Sequence, residues 1–152
     1  MPYADVNGVR IYYESHGEGE AIVFAHGAGG NHLSWWQQVP FFRDRYRCVT
    51  FDHRGFGRSV ERADGPGGAS FAEDLRALLD HLGIERTLLA AQSMGGRACL
   101  GFSLAYPERV RGLVMSDTTG TIALKINDQR WSLSASVRSG RCIALRADPD
   151  AR

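Results

Sequence analysis

The amino-acid sequence predicts an α/β fold: a mostly parallel, twisted sheet with helices on both faces. Three observations predict it. Short, almost wholly apolar runs recur at residues 21–25, 48–51, 87–92 and 110–115, the pattern of strands buried on both faces of a parallel sheet. Stretches of helical length and period separate them, which is the βαβ rhythm. At residues 88–97 an apolar strand runs straight into a serine with small neighbours and then into a helix, Leu88-Leu89-Ala90-Ala91-Gln92-Ser93-Met94-Gly95-Gly96-Arg97.

Taken in order, residues 3–6 and 9–15 alternate like strands around Asn7-Gly8, a favoured two-residue hairpin turn, so the chain opens with a β-hairpin. The run at 21–25 is the next strand and empties into His26-Gly27-Ala28-Gly29-Gly30. An aromatic segment from His32 to Tyr46 reads as helix, with Pro40 breaking or restarting it. The strand at 48–51 feeds Asp52-His53-Arg54-Gly55-Phe56-Gly57-Arg58-Ser59, and a polar loop rich in Gly continues to Gly68. Ser70 and Glu73 have the spacing of a capping box. The helix they would open carries Phe71, Leu75, Leu78, Leu79 and Leu82 on one face and stops at Gly83. A helix over 94–106, closed by Pro107, follows Ser93, and the strand at 110–115 comes next. Beyond about Gly120 the period is lost, and only 142–145 suggests a short strand. Residues 1–120 therefore read as the N-terminal part of one domain, and 121–152 as an irregular tail or the start of a lid.

Composition narrows the function. Lys and Arg total 18 against 17 Asp and Glu, a net charge of +1, so no basic field marks the chain for nucleic acid or an acidic membrane surface. The arginines are scattered among acids and read as solvated surface. Cys48, Cys99 and Cys142 are odd in number and far apart, which fits neither a disulfide framework nor a metal cluster. The start Met-Pro-Tyr-Ala-Asp-Val has no basic and apolar signal pattern, and no apolar run approaches the ~20 residues of a membrane span. A soluble cytoplasmic protein with no cysteine-built metal site is the expectation.

Ser93 is the residue to which the chemistry points. A serine nucleophile has to stand on a sharp strand-to-helix turn, clear of the sheet edge, and strained backbone concentrates at functional sites. Ala91 and Gly95 leave room for that turn, and the helix N-terminus favours developing negative charge beside the hydroxyl. His26-Gly27, Asp52, Ser93 and Asp117 all fall at the carboxyl edge of the sheet, where ligands bind in such folds. The plainer alternative for the pentapeptide 91–95 is a buried strand ending in a Gly-rich turn.

Together, the His-Gly run at 26–30, the Asp52–Ser59 run and Gln92-Ser93-Met94-Gly95-Gly96 resemble the α/β-hydrolase fold family, over roughly residues 5–120. The resemblance implies that Ser93 is the nucleophile and that the backbone amides of Ala28 and Met94 form the oxyanion hole. Such amides are worth about 3 kcal/mol or more per donor to the transition state. It also implies that His26 braces its loop and that Asp52 and Arg54 form a local pair shaping theirs. Trp35, Trp36, Phe41 and Phe42 could line an acyl pocket, but read better as core. In this family the acid and the histidine follow the serine, whereas the 5 histidines, His16, His26, His32, His53 and His81, all precede Ser93. Asp117 stands where some members keep their acid; a turn aspartate is the commoner explanation. The resemblance thus implies a hydrolase acting, with no cofactor or metal, on a small-molecule ester, lactone or related acyl or C–C bond, and the departure from the family pattern reads as truncation after about the sixth strand and impairment. Frameshift or truncation of a hydrolase gene accounts for the missing residues. The strand at 110–115 would be a bare edge unless the tail covers it. A cofactor-free haloperoxidase or perhydrolase, and a non-catalytic remnant or binding module, are the alternatives.

Overall fold

A computed structural model describes residues 2–118 and the backbone of 131–134 and 142–147. Strands β1 (Tyr3–Val6) and β2 (Val9–His16) form the expected hairpin, with Val6 opposite Val9 and both turn residues, Asn7 and Gly8, at positive φ. β3 (Ala21–Ala25), β4 (Arg47–Phe51), β5 (Thr87–Gln92) and β6 (Val110–Ser116) run parallel to one another, as their apolar runs predict. Two further strands, β7 (Trp131–Ser134) and β8 (Cys142–Ala147), complete a sheet ordered β1-β2-β4-β3-β5-β6-β8-β7. β8 lies antiparallel to β6, with Met115 opposite Ile143, so the edge of β6 is paired. Apart from these two strands, the segment 121–152 expected as tail or lid lies outside the described residues.

The helices divide between the faces. α2 (Phe71–His81) and α3 (Gly95–Ala105) cover one of them, packing Phe71, Leu75, Leu78, Leu79, Ala98 and Phe102 against Val23, Val49, Leu89 and Leu113. Alternate residues of β3 point the other way, where Ile22, Phe24 and Cys48 meet Trp35, Val39 and Phe42. Among the described residues that face has thinner cover. An open apolar cleft of about 490 Å³ runs along it, walled by Phe24, Trp35, Phe42, Leu88, Ala90 and Val114 among others. Trp35 and Phe42 are half-buried, packing against that cluster while lining the cleft, whereas Trp36 and Phe41 face solvent at 68% and 67% exposure.

Three local expectations are corrected. The aromatic segment is not one helix: a 3-10 turn at His32–Trp35 precedes the five-residue α1 (Gln38–Phe42). The helical run restarts at Gln38 with Pro40 in the first turn of α1, where its missing N–H would have had no partner. Ser70 makes no capping hydrogen bond, since a 3-10 turn at Gly67–Ser70 leads directly into α2. Glu73 instead binds Arg76 Nε at 2.8 Å and the Tyr106 hydroxyl at 2.8 Å. A capping box does form at Asn31 and Ser34.

Asp52 and Arg54 do not pair with each other. Asp52 Oδ1 accepts from the His32 N–H at 2.5 Å and lies 2.9 Å from His32 Nδ1, while Oδ2 accepts from the Arg58 N–H at 2.7 Å. With its oxygens taken by the loop backbone, Asp52 leaves Arg54 to a better geometry. The guanidinium binds both oxygens of Asp74 on α2, and Glu61 at 3.1 Å. Such bidentate charged bonds outrank a single one, and they raise the Arg54 pKa.

Candidate active site

β3 and β5 are neighbours whose outgoing connections run in opposite directions, the first toward β4 and the second toward β6. The loops leaving them face each other across this switch point, where doubly wound sheets bind ligands. One loop is 26–30 and the other carries Ser93.

Ser93 has φ +48, the left-handed region that a β-carbon disfavours, and the chain turns there from β5 into α3. Its amide donates to the Ser116 carbonyl at 3.1 Å and its carbonyl accepts from the Gly96 N–H at 3.0 Å, so the strain is held from both sides. Gly95 is required: a β-carbon there would collide with the Ala25 carbonyl. The side chain is exposed, and among the described residues its hydroxyl has no hydrogen-bond partner. Nor do the amides of Ala28 and Met94 donate to any acceptor among the described residues. They are spare donors on the two loops that flank the switch point.

The 26–30 loop is held from below by His26. Its Nδ1–H donates to the Gly27 carbonyl at 2.7 Å, and its Nε2 accepts from the His53 N–H at 3.1 Å. Both bonds at once require the neutral Nδ1–H tautomer. Burial agrees, pulling the imidazole pKa down despite the Gly27 carbonyl and Asp52. Gly29 at φ +76 turns the loop, and the Gly30 N–H closes on the Gly27 carbonyl at 3.1 Å. The Gly27 N–H leaves this loop and donates to Gln92 Oε1 at 3.2 Å. The sequence motif includes Gln92 but assigns it no role of its own. Its signal was a polar residue closing an otherwise apolar strand, immediately before the serine.

The five histidines lie as follows. His16 lies 3.1 Å from Glu14, His32 is held by Asp52, and His26 and His53 are buried. His81 packs edge-on to Tyr13. None of them bonds Ser93. Asp117 follows β6 with φ +52 and is exposed. No group of His, Cys, Asp and Glu among the described residues has metal-binding geometry. None of the described helices is long and apolar enough to cross a membrane.

Comparison with known proteins agrees with this architecture. The sequence model of the alpha/beta hydrolase fold matches residues 20–138. A 2-hydroxy-6-oxo-6-phenylhexa-2,4-dienoate hydrolase of Comamonas testosteroni is 36% identical over 121 residues, which are 76% of this chain and 42% of that protein. The solved structure of Est816, described as an N-acyl homoserine lactone degrading enzyme, superposes with a TM-score of 0.73 at 36% identity, covering 77% of this chain and 45% of that one. A thermophilic esterase from Thermogutta terrifontis gives 0.71 at 28% identity, covering 76% and 44%. The chain spans about half the length of the curated relatives it matches, 42% to 56% for three of them. Fold, sequence match and structural neighbours converge, and the chain belongs to the α/β-hydrolase fold family.

Proposed function

We propose that this chain is the nucleophile-bearing part of a serine hydrolase acting on a small-molecule ester, lactone or related acyl or C–C bond. The observation that carries the reading is Ser93 at φ +48 at the switch point, with two spare amides on the flanking loops. In that reading Ser93 Oγ attacks the acyl carbon, and the Ala28 and Met94 N–H groups receive the charge that develops on the carbonyl oxygen. The relatives' substrates, an aromatic dienoate and an N-acyl lactone, support an acyl or C–C bond as the target. The chemistry draws on no cofactor.

Turnover by the 152 residues is slow in this reading. A serine needs a base, and none of the five histidines bonds Ser93. Losing the base of a triad costs on the order of 10⁶ in kcat, while the oxyanion hole and binding retain roughly 10³–10⁴ over water. The same observation favours the second reading, a remnant that keeps the pocket edge without chemistry.

A fluorophosphonate probe and p-nitrophenyl acetate separate them. The purified chain is expected to label slowly at Ser93, to lose labelling in Ser93→Ala, and to release p-nitrophenol at barely more than the background rate. A folded chain that never labels is the remnant. Fast turnover abolished by Ser93→Ala would show that the chemistry is not impaired.

A further inference from the structure

We propose that Gln92 is a positioning residue that clamps the 26–30 loop to the serine turn, setting where the Ala28 amide lies relative to Ser93. This rests on the hydrolase reading for its catalytic consequence, but the clamp itself stands on geometry. Gln92 Oε1 accepts the Gly27 N–H at 3.2 Å, and these residues are 65 apart in sequence. Gln92 adjoins Ser93 in the chain, and Gly27 adjoins Ala28, so one side chain links the element carrying the nucleophile to the loop carrying the spare amide.

The fit is close as well as polar. A β-carbon on Gly27 would lie 2.7 Å from Gln92 Oε1 and 3.2 Å from Ser93 Cβ, so the loop backbone rests directly on the serine turn. No other hydrogen bond among the described residues ties residues 26–30 to 92–95. The contacts of His26 and Gly30 hold the loop from inside itself and from the β4 side, through the His53 N–H. They leave the loop without a hydrogen bond to the serine turn. Gln92 supplies that remaining constraint, and what it needs is an acceptor atom at the end of a side chain of this length. A carboxylate in the same place can accept the same N–H; a methyl group cannot.

The test compares the parent chain with Gln92→Ala and Gln92→Glu. Amide hydrogen exchange read by ¹⁵N NMR is expected to show the Gly27 N–H exchanging about tenfold faster in Gln92→Ala, the loss of one hydrogen bond, and returning toward the parent rate in Gln92→Glu. Amides of Val23 and Leu89 report whether the sheet is intact. Fluorophosphonate inactivation is expected to slow in its maximal rate constant, with the half-saturating probe concentration unchanged, in Gln92→Ala and to recover in Gln92→Glu. Gly27 exchange unaltered by Gln92→Ala, with the sheet intact, overturns the clamp. Equal slowing of inactivation by both variants overturns the positioning role. If the parent chain does not label at all, the hydrolase reading fails on its own, and Gly27 exchange still decides whether Gln92 clamps the loop.

Discussion

His53 is 1% exposed and sits in a nest of rings, 4.6 Å from Phe71, 4.8 Å from Phe51 and 4.6 Å from His26 between centroids. Its Nε2 is buried without a hydrogen-bond partner among the described residues. Burial, and then the neighbouring His26, pull its pKa down to about 3, so it is neutral in the folded protein across the physiological range. The unfolded chain, with a histidine near its ordinary value of about 6.5, takes up the proton first as pH falls. Stability from this residue is therefore complete above about pH 6.5 and is lost toward pH 3, at about 1.4 kcal/mol per pH unit. Urea midpoints measured between pH 7 and pH 4 are expected to fall more steeply for the parent than for His53→Phe, which keeps the ring stack without the proton. His26, also lowered by burial, remains in the variant and leaves it a shallower slope. Parallel slopes for the two proteins would show that His53 does not titrate this way.

The serine turn is an element built by exclusion. The α3 helix starts so close under β3 that position 95 has no room for a methyl group beside the Ala25 carbonyl. Gly95→Ala must push α3 away from the sheet or twist the turn, and overpacking of this kind costs about 1–3 kcal/mol. We expect a lower urea midpoint together with loss of fluorophosphonate labelling; an unchanged midpoint would show that the helix has slack. This element was legible in the sequence because its requirements are local: an apolar strand, small residues at 91 and 95, and a helix, all within ten positions. The hairpin at Asn7-Gly8 was legible for the same reason. The helix expected from His32 onward was not, because Asp52, 20 residues away, draws in the His32 N–H and so pins the start of a 3-10 turn. Arg54 was misassigned to Asp52 because its partner, Asp74, belongs to a helix whose docking angle no spacing rule contains. Gln92 is the extreme case, since its partner is 65 residues upstream. Local signals placed the serine turn; the contacts that hold it are between elements.

On the scale of the whole molecule, the parallel core of β4-β3-β5-β6 is flanked on both sides by antiparallel strands. At one end the β1-β2 hairpin caps β4, and at the other β8 caps β6. The second cap matters more. β6 pairs with β8 over five positions, from Gly112 opposite Arg146 to Ser116 opposite Cys142, and Val114 on β6 is 41% exposed beside the apolar cleft. Without β8, β6 would present unpaired N–H and C=O groups along an apolar strand, a template for pairing with another chain. Removing residues 131–152 is therefore expected to produce concentration-dependent association, seen by light scattering, while far-ultraviolet circular dichroism still reports strands and helices. Adding Val114→Lys to the shortened chain should suppress that association, because a charge on an edge strand opposes edge-to-edge pairing. A shortened chain that stays monodisperse, with β6 amides as protected as in the parent, would show that the β6 edge is closed by something other than β8.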